Sequence, residues 1–172
     1  MLMENEKDIK RLEVTLAVSL MLIPLINRLI EGVWLPSISA YVDSKVVVGL
    51  LSFELGIAGA LFIYNGVGFK RHWYNVLLGL SLWGVAIFHY KTHNYIHNAC
   101  AIIFFLGSIL AIGLSSNIAF RGFKYFVSAI TVIGLVLHFA FNLFSILTVE
   151  WIEIIPIATH FILKSIKTKW KQ

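Results

Sequence analysis

Charged residues, cysteine and proline are all scarce in this sequence. Only 13% of its 172 residues are Asp, Glu, Lys or Arg, whereas 59% are hydrophobic. Soluble domains carry about 25% charged and about 45–50% apolar residues, and disordered chains combine low hydrophobicity with high net charge, so both classes are excluded. The single cysteine, Cys100, excludes an intramolecular disulfide and a metal site built of cysteines. The composition therefore indicates an integral membrane protein.

Long apolar runs follow one another with short polar interruptions. A helix needs about 20 mostly apolar residues to cross about 30 Å of hydrocarbon, so the chain has room for about six crossings. We predict an all-α fold, in which one transmembrane domain covering 1–172 is a polytopic bundle of six helices. The predicted spans are 14–33, 46–64, 76–90, 98–116, 126–148 and 151–167.

The positions of lysine and arginine predict the orientation. With the N-terminus in the cytoplasm, 11 of the 14 basic residues fall on the cytoplasmic side and only Arg28, Lys45 and Lys91 on the other. Cytoplasmic loops collect Lys and Arg, so both termini are predicted to be cytoplasmic, in a multi-pass protein of the inner (plasma) membrane. The net charge of +5 is spread over alternate loops and forms no single patch. We therefore expect membrane lipids as partners and no nucleic acid; the sequence leaves the oligomeric state open.

Several polar residues lie inside the predicted spans, where they are energetically costly and usually face the bundle interior or a cavity. Glu54 lies in the second span, His138 and Asn142 in the fifth, and His160 in the sixth. A stripe of small and polar residues at steps of three and four follows one face of the fifth span: Thr131, Gly134, His138, Asn142 and Ser145. We interpret Glu54, His138, Asn142 and His160 as candidate ligand-binding residues. The alternative is a hydrogen-bond network that only fixes helix packing.

Three histidines recur at four-residue steps in HYKTHNYIH, near the predicted outer end of the third span: His89, His93 and His97. If the helix continues through this stretch the imidazoles share one face, and if it ends near Tyr90 they belong to a loop. Imidazole and carboxylate ligands suit zinc, which makes these histidines candidate metal ligands and zinc the hypothesised cofactor. On the same side, Ser39 and Asp43 of the SISAYVDS loop are the candidate catalytic residues. The alternative is that the histidines anchor a hydrated helix end.

The segment from Pro36 to Phe105, with SISAYVDS and IHNACAIIFF, resembles bacterial six-span membrane proteins of unknown function that carry an SISAYY-type motif. They are distantly similar to the DRAM/Sfk-type family of six-span proteins. Val42 stands where that motif has a second tyrosine. The resemblance implies a six-span fold and no established chemistry. The Ser, Asp and His content is also similar to that of the CREST membrane hydrolases, although those have seven spans and a late HxxxH pair.

Three hypotheses for function follow. In the first, the protein has no enzymatic role and binds a lipid or small ligand in an outward-facing polar cavity, or supports a protein partner. In the second, it is a zinc-dependent hydrolase of lipid amides or esters. Asp43 would be the general base or the acid that orients a histidine ligand of the zinc, and Ser39 would stabilise the oxyanion. The third, a small transporter, lacks a repeat pair or matched broken helices in the sequence.

Overall fold

The fold is all-α in the residues that a computed structural model describes, which are 6–47, 49–68, 73–114 and 121–167. Six α-helices follow one another: α1 (Glu6–Glu31), α2 (Leu50–Gly68), α3 (Tyr74–Ile87), α4 (Tyr90–Leu114), α5 (Arg121–Phe141) and α6 (Ile146–Lys167). A short 3-10 helix, Ser39–Asp43, lies in the connection between α1 and α2. Four segments are long and apolar enough to cross a membrane, one each in α1, α2, α4 and α6, whereas the apolar segments of α3 and α5 are shorter. The chain is therefore a helical membrane protein, and the count of six crossings is not established by helix length.

Successive helices run in opposite directions, so the bundle has two ends. We call the end where α1 and α6 meet near Trp34 and Trp151 the loop end, and the end where α1 begins and α6 finishes the terminal end. The indole rings of Trp34 and Trp151 contact edge to face, with centroids 6.1 Å apart, so the first and last helices pack together. In the bundle centre the ring of Phe62 on α2 contacts Phe104 on α4 and Phe161 on α6.

The contact between α2 and α3 is close, and it depends on glycine. A Cβ atom added to Gly79 would overlap the carbonyl oxygen of Gly59, and one added to Gly59 would overlap the side chain of Trp83. The indole Nε1 of Trp83 donates to the carbonyl oxygen of Gly56 over 2.9 Å. Small residues let helix backbones approach closely in lipid, where van der Waals packing drives association.

Several helix boundaries differ from the predicted spans. Asn142 has φ +53°, a left-handed conformation that commonly ends helices, so α5 stops at Phe141 and the predicted fifth span of 126–148 is too long. The last helix begins at Ile146, five residues earlier than predicted. At the end of α1, Gly32 with φ +82° donates its N–H to the Arg28 carbonyl and stops the helix.

Candidate ligand-binding site

The connection 32–49, which we call the α1–α2 loop, folds back over the loop end. Tyr41 is 0% exposed, and its hydroxyl donates to the Val33 carbonyl oxygen over 2.9 Å. The backbone N–H of Leu147, at the start of α6, donates to the carbonyl oxygen of Pro36 over 3.1 Å. The loop is thus fastened to α6 as well as to its own two helices.

Glu150 is the main attachment point of this loop on α6. Its buried carboxylate accepts hydrogen bonds from the backbone N–H groups of Ile38 and Ser39 and from the Ser39 side chain. The Ser39 hydroxyl oxygen also lies 3.1 Å from that of Ser37. These contacts give Ser39 a role in holding the loop, whereas its catalytic role stays a prediction.

Asp43 connects the same loop to the start of α4. One of its carboxylate oxygens lies 3.4 Å from Nδ1 of His89, and the other lies 3.8 Å from Nζ of Lys91. Asp43 and His89, a candidate catalytic residue and a candidate metal ligand, are therefore neighbours. The predicted topology placed both residues at one membrane face, but their long separation in sequence gives no indication of a direct contact.

The three histidines lie in three different environments. The predicted third span runs to Tyr90, but α3 ends at Ile87 and α4 begins at Tyr90, so His89 lies in the junction between two helices. The backbone at His93 leaves helical geometry (φ −137°, ψ 49°), and His93 is exposed. His97 is buried, and its Nδ1 lies 2.7 Å from the Phe88 carbonyl oxygen. Among the residues with described side chains, no three His, Cys, Asp or Glu lie close enough together to hold a metal ion. The zinc hypothesis stays a prediction without a ligand set to support it.

The four predicted ligand-binding residues do not meet in one cavity. Glu54 accepts a hydrogen bond from Nδ2 of Asn27 between α1 and α2. Nδ1 of His138 lies 2.6 Å from the Phe144 carbonyl oxygen, at the turn after α5 where Asn142 is exposed. His160 lies toward the other end of the bundle. The turn at Asn142 breaks the polar stripe predicted along the fifth span.

A small pocket lies in the half of the bundle nearest the terminal end, between α2, α3, α4 and α6, and its cavity volume of about 20 Å³ has room for about one water molecule. Four polar side chains line it: Tyr74, Asn75, Ser108 and His160. The remaining lining is apolar: Phe62, Leu78, Ala111, Ile112, Ile157 and Phe161. Small-molecule sites are larger, about 300–1,000 Å³, and combine mostly apolar walls with a few polar groups. Among the described residues, the lining of this pocket thus has the composition of a ligand site, whereas its volume is smaller.

Some polar groups of the pocket have interaction partners within the protein, and one lacks a hydrogen-bond partner. Nδ2 of Asn75 donates to Oδ1 of Asn65 over 2.6 Å, and Tyr74 interacts electrostatically with Glu13 of α1. Ser108 is only 2% exposed, yet its hydroxyl has no hydrogen-bond partner in the described part of the chain. Buried hydroxyls are nearly always hydrogen-bonded, so the free hydroxyl of Ser108 is the group that a ligand would meet.

Sequence reasoning named His160 but missed Tyr74, Asn75, Ser108 and Glu13. Asn75 and Tyr74 lie just before the predicted third span, where polar residues normally indicate the membrane surface. Ser108 is a single hydroxyl in an apolar run, which is common in transmembrane helices. Only the packing of α4 against α3 and α6 brings Tyr74, Asn75, Ser108 and His160 to one pocket.

Comparison with known proteins gives a family and no activity. No curated protein and no solved structure matches this chain. The model of one family, described as a family of unknown function (DUF7103), matches residues 22–165. That range includes the α1–α2 loop, the pocket, all of α2 to α5, nearly all of α6 and the last part of α1. The chain therefore belongs to the DUF7103 family of unknown function.

Proposed function

We propose that this membrane protein binds an amphipathic ligand, a membrane lipid or a lipid-like molecule, in the pocket of the terminal half. The observation that carries the proposal is the unpartnered hydroxyl of Ser108 in a pocket whose other walls are mostly apolar. An apolar chain would occupy the space beside Phe62 and Leu78, and a polar group of the ligand would accept or donate a hydrogen bond at Ser108. The pocket has a cavity volume of only about 20 Å³, so the end of an acyl chain or a small head group enters when the lining side chains move apart.

The side of the membrane matters for this proposal. We propose that all six helices cross the plasma membrane and that both termini lie in the cytoplasm. The distribution of Lys and Arg supports this orientation. The pocket then opens toward the cytoplasmic leaflet, opposite to the outward-facing cavity expected from the sequence. A reporter fused after Gln172 should be active only in the cytoplasm; activity outside would contradict this orientation.

No specific observation favours the other functional hypotheses drawn from the sequence. The histidines are dispersed, so hydrolysis by bound zinc and the likeness to CREST hydrolases stay predictions. The same holds for transport, for support of a protein partner, and for the likeness to the DRAM/Sfk-type family and its SISAYY-type motif.

Labelling with a photoactivatable fatty acid tests lipid binding. Membranes that contain the full chain are incubated with a fatty acid carrying a diazirine near its methyl end, irradiated, and digested for mass spectrometry. We expect crosslinks on residues that line the pocket, such as Leu78 and Ile157, and competition by the unlabelled fatty acid. Ala111→Phe fills the pocket and should abolish these crosslinks, whereas Leu110→Phe, one residue earlier and 62% exposed, should preserve them.

The Ser108→Ala variant then tests polar recognition. Loss of one hydrogen bond costs about 0.5–1.5 kcal/mol, which corresponds to roughly a 2- to 12-fold weaker competition by the fatty acid. Crosslinks that are equal in Ala111→Phe and wild type, or that map only to lipid-facing residues, would contradict a ligand role for this pocket.

A further inference from the structure

Glu153, on the opposite half of the bundle from the pocket, is a buried carboxylate with nothing to bind it. The residue is 1% exposed, and neither carboxylate oxygen has a hydrogen-bond partner among the described residues. It lies seven residues into α6, about 10 Å along the helix, inside the segment apolar enough to cross the membrane. A carboxylate in such surroundings is costly and usually indicates an ion or proton path.

The neighbouring carboxylate, Glu150, differs from Glu153 in its hydrogen bonds. Glu150 lies one turn earlier and is engaged by the Ile38 and Ser39 N–H groups and the Ser39 hydroxyl. Glu153 has no such contacts, although the charge of Glu150 acts on it electrostatically. Attachment of the α1–α2 loop therefore accounts for the buried carboxylate of Glu150 but not for that of Glu153.

No basic side chain neutralises Glu153 in the described part of the chain. Lys91 is paired with Asp43, and the guanidinium of Arg28 lies over the Trp34 ring, 5.7 Å from its centroid, with its buried Nε unpartnered among the described residues. A buried acid usually has a cationic or hydrogen-bonding partner, because an isolated charge is very unfavourable in an apolar medium. Among the described residues, Glu153 has neither.

An independent group on α1, the helix that packs against α6, also lacks a donor. Asn27 is 0% exposed; its Nδ2 donates to Glu54 and to the Ile23 carbonyl oxygen, while its Oδ1 has no partner among the described residues. Pro24 and Pro156 lie inside the two packed helices, which continue through them, and each proline lacks the N–H that would bind the carbonyl four residues earlier. On α1 and α6, the described buried side-chain atoms without a hydrogen-bond partner are three acceptors, Oδ1 of Asn27 and both oxygens of Glu153, and one donor, Nε of Arg28.

We infer that the α1–α6 contact holds a small monovalent cation at Glu153, a sodium ion or a proton. One free carboxylate balances one positive charge. The amide oxygen of Asn27 is a further unpartnered acceptor on α1, the helix that packs against α6. This site lies away from the proposed lipid pocket and does not depend on it.

Carbodiimide labelling of the full chain in detergent tests this inference. Dicyclohexylcarbodiimide enters apolar sites and modifies protonated carboxyl groups, and mass spectrometry of the peptide containing Glu153 gives the labelling rate at that residue alone. For sodium, we expect NaCl at ten times its dissociation constant to slow labelling roughly tenfold, because binding and modification compete. Choline chloride at equal ionic strength should have no effect. For a proton, NaCl has no effect and the rate falls as the pH rises.

The other carboxylates at the loop end, Glu31, Asp43, Glu54 and Glu150, report separately in the same digest, which keeps the assignment to Glu153 clear. The basic and imidazole groups at this end, which the reagent does not label, are Arg28, Lys45, His89, Lys91, His93, His97 and His138. Glu153→Gln should remove the label and its cation dependence, whereas Glu150→Gln should keep both. Wild type alone decides the outcome if a variant fails to fold. A Glu153 that is never labelled in folded protein, or is labelled at a rate independent of both sodium and pH, overturns the inference.

Discussion

The loop end and the terminal end of this bundle use similar polar residues for different purposes. At the loop end, Glu150 and Tyr41 are bound to backbone groups of the α1–α2 loop, which covers the helices. At the terminal end, Ser108 and His160 line a small pocket. The α1–α2 connection is long enough to fold back and supply backbone partners. Glu150 and Tyr41 are thus held by the loop that covers them, whereas the hydroxyl of Ser108 has no partner among the described residues.

The largest loss of stability is expected when the carboxylate of Glu150 at the loop end is removed. Glu150→Ala leaves three donors in and beside the α1–α2 loop without their acceptor. An orphaned buried donor costs about 1–3 kcal/mol, but bonds within a membrane average nearer 0.6 kcal/mol, so we expect a loss of about 2–4 kcal/mol. The free energy of unfolding in mixed micelles measures the loss, and limited proteolysis shows whether cleavage in 32–49 accelerates.

Two variants make the result on Glu150 specific. Glu150→Gln keeps a side-chain oxygen that accepts hydrogen bonds and should recover much of the stability. Lys45→Ala, at an exposed position of the same loop, should have no effect. If Glu150→Ala is as stable and as protease-resistant as wild type, the loop end is not held by this carboxylate.

A smaller effect is expected at the terminal end, from the bond between Asn75 and Asn65. Asn75→Leu removes the donor that lies 2.6 Å from Oδ1 of Asn65 and leaves that amide buried without a partner. We expect a loss of about 0.6–1.7 kcal/mol, the range measured for hydrogen bonds between transmembrane helices. Unfolding in the same micelles measures it.

A double variant separates the bond from the burial of the amides. Asn65→Leu combined with Asn75→Leu removes both polar groups and should cost less than the sum of the single changes. Asn98→Leu, at an exposed position of α4, serves as the control. Additive losses would mean that the two amides do not interact.

The sequence predicts the class of this fold well and its polar clusters poorly. Composition and apolar runs indicate a membrane protein with several helices, because burial in lipid requires them over whole segments. Boundaries depend on single residues: Asn142 ends α5 through a left-handed backbone conformation that hydropathy does not detect. Histidine spacing suggested one metal site, but the backbone at His93 departs from the helix and disperses the three rings.

The candidate sites depend on contacts between helices that are distant in sequence. Glu150 meets Ile38 across more than a hundred residues, and no spacing rule within one helix could predict that pair. Asn27 and Ser108 carry little sequence signal because isolated polar residues are common in transmembrane helices. The unsatisfied atoms of Asn27, Ser108 and Glu153 become visible only after the neighbouring helices are in place.

The packing of the first helix against the last has a consequence for biogenesis. Ile146 follows Glu31 by about 115 residues, and ribosomes add about 5–20 residues per second, so α1 waits roughly 6–23 s before α6 is synthesised. During that time Asn27 faces lipid or the insertion machinery without α6 beside it. The synthesis of α6 therefore brings the α1–α2 loop its attachment at Glu150.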